Sequence, residues 1–596
     1  MSELLEPIRY TLRFSAPHTH YVEVEATLPT SGKPWIELAM AVWTPGSYLV
    51  REYARHVEGL MAHAPDGTEL SLDKSRKNRW RMHTNDAQTI VVTYRVYCRE
   101  MSVRTNWVED SFALLNGAPT FLTLVEDVAR PHDVQLVLPE AWQTSITGLP
   151  AVPGGVAHHY RAADFDTLVD SPILAGNPAV YTFEVDGLPH YLVNAGEGGV
   201  CDGPRSVQDV EKIVRAQRDM WGFLPYEKYV FFNMIIEAGG GLEHKNSTVL
   251  MTSRWHSRVR KDYLSWLGLV SHEFFHVWNV KRLRPIELGP FDYENEVYTK
   301  NLWTAEGITS YYTELGVRRA GLCTDAEFLE RLSGIIERLQ TTPGRLVHPL
   351  EMASYDAWIK LYRNDENSPN TTISYYTKGA VVAFLLDAKI QAATGGTRSL
   401  DDVLRLAYKH YAGERGFTRE EFRALAQDAA GTDLRSWFVS VLETTEELDY
   451  TEALDWFGLR FKPTTPATPA KAWLGLVTRT DNGRLLVSQV PRQTPGWQYG
   501  FNVDDEILAI DDYRVLPHHW ETRLAHYRPG EHVTVLVARR ERLQRLAVTF
   551  GTEPPKYWQL AVHPDAAAEQ RARLAAWLGC PSDTVPALWG HEMVCQ

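Results

Sequence analysis

The chain has 596 residues, 44% apolar and 23% charged, with a formal net charge of −14 and no basic block. Length and composition suit several globular domains, at roughly 150 residues each, and argue against nucleic acid or an anionic membrane surface as partners. No stretch approaches the ~20 continuous apolar residues of a membrane span. The N-terminus, MSELLEPIRYTLRF, lacks a basic n-region and apolar h-region, and the five cysteines (Cys98, Cys201, Cys323, Cys580, Cys595) are scattered without a CxxC pair. A cytoplasmic chain with reduced thiols is expected.

Residues 1–175 read as β-rich: IRYTLRF, YVEVEATL, TIVVTYRVYC and DVQLVLP run or alternate at strand length between turn residues. Within them VWTPGSYLVREYARHV (42–57) is either a buried strand-turn or a loop reaching an active cleft. From about 178 the pattern turns helical, apart from the β-rich YVFFNMIIEAGGGLEHKNSTVLMTS, which predicts edge strands with a Gly-rich turn. Residues 176–453 form the expected second domain. KPTTPATPAK (462–471) reads as a linker. A small β-rich module is expected over 456–555, and a tail over 556–596 carries one amphipathic helix, PDAAAEQRARLAAWLG, predicted to dock on a neighbour. The predicted class is multidomain α+β.

The chemistry concentrates at SHEFFHVWNVKRLRP (271–285). On a helix His272 and His276 stand about 40° apart on one face, so two imidazoles can grip one cation. Glu273 lies about 60° round from His276, aimed to reach a water bound to that cation. With 21 histidines in the chain, a chance HExxH has odds of roughly one in twenty. The apolar run YLSWLGLV leading into the pair argues for a buried, functional helix. A third ligand is needed, with the fourth position left to water. Glu306, in the aromatic-lined NLWTAEGITSYYTEL, is a buried acid that needs a partner or a metal. Glu294 and Glu296, in the polar FDYENEVY, are expected to be solvated instead, and Glu314 is a candidate to orient a ligand.

HEFFH followed by WNVKRLRP and LWTAEGITSYY resembles the glycyl aminopeptidase family, number sixty-one of the metallopeptidases, whose relatives are the thermolysin-like, glutamate-ligated zinc enzymes. The resemblance spans nearly the whole chain and implies a β-rich front domain with WTPGSY, a thermolysin-like catalytic domain and a C-terminal PDZ domain. It implies that GGGLEHKNS lies along the substrate, Glu243 holding the free α-amine and Gly240 and Gly241 permitting close backbone approach. It further implies that in ISYYTKG a tyrosine hydrogen-bonds the oxyanion; that position is Tyr376, with Tyr375 as its understudy. WLGL (473–476) resembles a PDZ carboxylate-binding loop, which would take a peptide C-terminus. Two departures stand out: the longer stretch IELGPFDYENEVYTKN before Glu306, expected as a loop near the cleft, and Ser310 where thermolysin-like enzymes carry an aspartate.

The expectation is therefore a zinc aminopeptidase acting on peptides with a free N-terminus, small first residues such as Gly or Ala being implied by the resemblance. His272, His276 and Glu306 hold Zn²⁺, Glu273 is the base, and Zn²⁺ and Tyr376 share the oxyanion. The alternatives are an endopeptidase with the same chemistry and a PDZ-centred adaptor or chaperone with a vestigial peptidase domain.

Overall fold

The computed structural model describes residues 5–126, 129–462, 471–554 and 557–579. The Pro/Thr-rich linker lies, except for its two ends, outside them, as do Cys580 and Cys595. Among the described residues no helix is long and apolar enough to cross a membrane. The chain folds as two compact units, the first made of Met1–Thr299, Tyr312–Cys323 and Leu404–Phe422, the second of Lys300–Tyr311, Thr324–Val403 and Arg423–Gln596.

The first unit begins with a seven-stranded sheet. In it β1 (Ile8–Arg13) pairs antiparallel with β2 (Tyr21–Pro29), which pairs antiparallel with β3 (Thr89–Tyr97), while β4 (His132–Val137) runs parallel to β1. Alternation turns Ile8, Tyr10 and Leu12 inward, onto a core with Val24, Val92 and Phe121. Each such side chain contributes about 1.5–3 kcal/mol on burial. Two of its buried tyrosines are satisfied: Tyr10 donates to the Leu122 carbonyl at 2.8 Å and Tyr94 to that of Thr120 at 3.0 Å.

A second, five-stranded sheet follows. The helical reading from about 178 is corrected at once, because β5 (Ala179–Val185) and β6 (Leu188–Ala195) form an antiparallel hairpin. Its turn is Asp186-Gly187, both at positive φ, the dipeptide such turns favour. α1 (Gly203–Trp221) then crosses over to β7 (Tyr229–Ile235), parallel to β6. β8 (Gly240–Glu243) pairs antiparallel with β9 (Ser247–Thr252) and forms the edge of the order β5-β6-β7-β9-β8. α2 (Arg260–Phe275) carries the histidine pair. Polar rungs fix it in place: Trp266 Nε1 donates to Asn233 Oδ1 at 3.1 Å, and Gln217 Nε2 donates to the Ser271 carbonyl at 2.8 Å.

In the second unit a single π-helical turn, Trp303–Gly307, leads into α3 (Ile308–Arg319). α4 (Asp325–Thr341) starts with a capping box between Thr324 and Glu327. α5 (Tyr375–Ala393) is capped by Ser374 and stops before Gly395 and Gly396, both left-handed. A β-module runs β10 (Val477–Asp481), β11 (Arg484–Gln489), β12 (Glu506–Ile510), β13 (His532–Arg539) and β14 (Arg542–Thr549), hydrogen-bonded in chain order so that β10 is an edge. Asn370 ties it to the helices, donating to the Val490 carbonyl at 3.0 Å and accepting from Arg492 N at 2.8 Å. The tail helix α6 (Ala568–Trp577) docks within this unit: Trp577 stacks on Phe457 at 4.3 Å and donates to Tyr311 Oη at 2.7 Å.

Candidate metal and substrate site

α2 delivers His272 and Glu273 in its last turn and His276 as its C-terminal cap. The two imidazoles meet edge-on, with Nε2 atoms 3.1 Å apart. Nitrogens that close need a cation or a shared proton between them. The other ring nitrogens are held from outside: His276 Nδ1 donates to the Asn279 carbonyl at 2.8 Å, and His272 Nδ1 lies 2.9 Å from Thr313 Oγ1. Fixing Nδ1 leaves Nε2 as the metal-facing lone pair. Ligands at ~2.0–2.1 Å in a tetrahedron stand about 3.3 Å apart, near the observed spacing. Two imidazoles with a carboxylate are a donor set that suits zinc, so the residues fit that ion.

Two carboxylates face this pair. Ligand atoms of Glu243, Glu273 and His276 all lie within 4.8 Å of one another, with Glu243 3% and Glu273 5% exposed. Buried like charges at that spacing call for a positive group. Glu243 Oε1 has no hydrogen-bond partner among the described residues. Glycine makes the packing possible. A Cβ on Gly241 would stand 2.1 Å from Glu273 Oε1, and one on Gly46 would stand 2.4 Å from Glu243 Oε1. WTPGSY therefore presses its turn, with Gly46 at φ 92°, against Glu243. Gly241 leaves room for the Glu273 side chain, whereas Gly240, at φ 124°, faces open space.

A network that the sequence did not reveal pins this end of β8. Asp170 accepts from Lys281 Nζ at 2.6 Å, from Lys245 N at 2.7 Å and lies 3.1 Å from His244 Nδ1. Burial alone would raise the Asp170 pKa, but the Lys281 ammonium and His244 overcome it and hold the carboxyl well below the usual range. Lys281 gets there through a turn in which Val280 sits at φ 130°, a conformation costing about 1–3 kcal/mol for a branched residue. Asp170, Thr313 and the Asn279 carbonyl had no signal in the spacing of the motif.

The inserted stretch after the motif is not free. Trp43 Nε1 donates to the Asp292 carbonyl at 2.6 Å, Val42 N to that of Tyr293 at 2.8 Å, and Tyr293 Oη to Asp166 at 2.7 Å. Burial raises the Asp166 pKa, partly offset by that bond. The solvated role expected for Glu294 is corrected: it forms an ion pair with Arg79 and accepts from Asn78 Nδ2 at 2.8 Å, because the stretch packs on the front sheet. Glu296 is exposed, as expected. A cavity of about 310 Å³ lies beside Glu243, and Gly46 and the inserted stretch help line it.

Glu306 and Tyr376 belong to the second unit. Glu306 is 2% exposed on the π-helical turn, a feature frequent at functional sites. Gly307 and Gly379 let this turn touch α5, since a Cβ on Gly307 would stand 2.5 Å from Gly379 Cα. Tyr376 pKa is raised well above its usual value, by burial first and then by the Glu306 charge, so its hydroxyl stays a donor across neutral pH. Tyr375, the understudy, is fully buried with its ring 4.8 Å from that of Tyr376. Glu314 is half-buried on α3. The His272 ring itself meets Thr313, on the same helix.

The Peptidase M61 N-terminal domain profile matches residues 9–177 and the M61 glycyl aminopeptidase profile residues 265–382. No curated protein matches the chain. Among solved structures, it is similar to an aminopeptidase N family protein from Idiomarina loihiensis, with 28% identity, a TM-score of 0.89, and coverage of 96% of this chain and 100% of that one. Both domain profiles of the M61 peptidases thus match in chain order, and with the aminopeptidase neighbour they support a peptidase.

Proposed function

We propose that this chain is a zinc-dependent aminopeptidase of thermolysin-like architecture. The observation that carries the reading is the buried Glu243 carboxylate, with Oε1 lacking a hydrogen-bond partner among the described residues and a ligand oxygen within 4.8 Å of those of Glu273 and His276. Such a group suits the α-ammonium of a substrate, and an endopeptidase has no use for an amine anchor that closes its cleft.

His272, His276 and Glu306 would hold the zinc, which supplies an acidified water and a Lewis acid for the scissile carbonyl. Glu273 takes the proton of the attacking water and passes it to the leaving amine. The Tyr376 hydroxyl donates to the oxygen on which negative charge develops. Edge strand β8 presents the Gly240–Gly241 backbone to an extended substrate. We read residues 456–555 as a PDZ domain whose Trp473–Leu476 loop and edge strand β10 take a peptide C-terminus. The family description, glycyl aminopeptidase, suggests Gly as first residue, and we extend the preference to the similarly small Ala.

The test compares free and N-acetylated peptides. Acetylation should abolish cleavage, and Glu243→Ala should lower kcat/KM by 30-fold to several thousand-fold, about 2–5 kcal/mol, with zinc content unchanged. Equal cleavage of both peptides would replace the aminopeptidase reading with the endopeptidase one.

A further inference from the structure

We propose that Tyr362 and His348 are positioning residues for Tyr376: Tyr362 braces its hydroxyl directly, and His348 ties together the two segments that carry the tyrosines. This rests on the reading of Tyr376 as the donor to the oxygen on which negative charge develops, and deepens it. Tyr376 lies in the first turn of α5, and two rotatable bonds separate its ring from the backbone. Its hydroxyl is therefore the far end of a lever, and a misplacement of about 1 Å costs on the order of 10²-fold in rate. The Tyr362 hydroxyl is hydrogen-bonded to that end. Hydroxyl protons rotate to suit their partners, so Tyr362 can donate to Tyr376 Oη while Tyr376 gives its own proton to the substrate oxygen. A phenol that accepts one bond donates a stronger one.

The backbone on both sides is fixed through His348, which is 4% exposed. Its Nδ1 lies 2.9 Å from Thr372 Oγ1 and accepts from Ile373 N at 3.4 Å. A backbone N–H can only donate, so the ring proton sits on Nε2. Thr372 and Ile373 immediately precede Ser374, the residue that caps α5. On its other edge the ring reaches the Tyr362 segment: Nε2 lies 3.4 Å from Asp356 Oδ2, and Lys360 Nζ pairs with the same oxygen at 3.0 Å. Lys360 leads into the Leu361–Arg363 turn that presents Tyr362, whose N donates to the Ala357 carbonyl at 3.1 Å. Burial first, and then the Lys360 ammonium, pull the His348 pKa down, which favours the neutral ring that this pattern needs. Gly344 permits the close approach on the α5 side, since a Cβ there would stand 1.9 Å from the Thr372 carbonyl oxygen.

Kinetics on alanine p-nitroanilide with the full, zinc-loaded chain test this through a double-mutant cycle. Tyr376→Phe should lower kcat by about 10²- to 10³-fold. Tyr362→Phe, which keeps the ring, should lower kcat about tenfold, with KM within about threefold and zinc content and Tm unchanged. In the Tyr376→Phe background the same change should add less than about twofold, because a brace has no effect once the group it braces is gone. His348→Leu should show the same pattern, whereas His348→Asn, whose Oδ1 stands where Nδ1 did, should recover kcat to within about threefold of native. Should His348→Leu fail to fold, Thr372→Val removes the shorter of the two Nδ1 bonds and carries the same expectation. A Tyr362→Phe enzyme with native kcat, or losses that multiply in the Tyr376→Phe background, overturns the proposal and leaves the role of Tyr376 intact. A Tyr376→Phe enzyme within about threefold of native overturns that role and the proposal with it.

Discussion

Replacing Gly241 by alanine separates catalytic placement from fold stability. The added Cβ would stand 2.1 Å from Glu273 Oε1, 2.4 Å from its Cδ and 2.6 Å from its Cγ. Ordinary contact begins near 3.4 Å, so the Glu273 carboxylate must retreat by about 1 Å. The backbone itself has no objection: Gly241 is not at positive φ and lies in edge strand β8, where alanine is worth about 0.5–1 kcal/mol over glycine. A base displaced by 1 Å loses on the order of 10²-fold in rate, about 2.7 kcal/mol. Gly241→Ala should therefore keep its zinc and its Tm while kcat falls by about two orders of magnitude. Gly240→Ala is the matched control. Its Cβ meets open space, but its φ of 124° strains any side chain, so Tm should fall with a smaller loss of kcat. Stopped-assay kinetics beside calorimetric melting decides. A Gly241→Ala enzyme within threefold of native kcat would refute the placement of Glu273.

Thr313→Val removes the hydroxyl at His272 Nδ1 without changing shape; zinc affinity, read by competition with a chelator, should weaken 10- to 100-fold, Thr313→Ser should restore it, and an unchanged affinity would remove Thr313 from the site. Lys378 is 2% exposed, and burial pulls its pKa down to about 8, with Glu447 only partly offsetting it. Between pH 8 and 10.5 the unfolded chain holds the extra proton, so stability rises with pH across that window; below it the full penalty of about 3 kcal/mol applies. Lys378→Met should thus be more stable than native at pH 7, with the gap closing by pH 10.5 in denaturant titrations; a gap constant with pH would discount the shift.

The local features were legible because their signals are short-range. HExxH spacing and the aromatic setting of Glu306 each depend on residues within a turn or two. The Asp186-Gly187 hairpin carried a readable turn signal that the neighbouring helical periodicity outweighed. What only the tertiary structure decided depends on residues far apart in the chain. Asp170, His244 and Lys281 meet because a helix end, a strand end and a strained turn converge on one buried point. Gly46 matters because its loop is laid against Glu243, and Thr313 because its helix runs past His272. The sequence alone determined which atoms could hold a cation and take a proton. Folding determined how much room lies beside Glu243, since a cavity is set by the distance between walls drawn from separate segments, which no local pattern encodes.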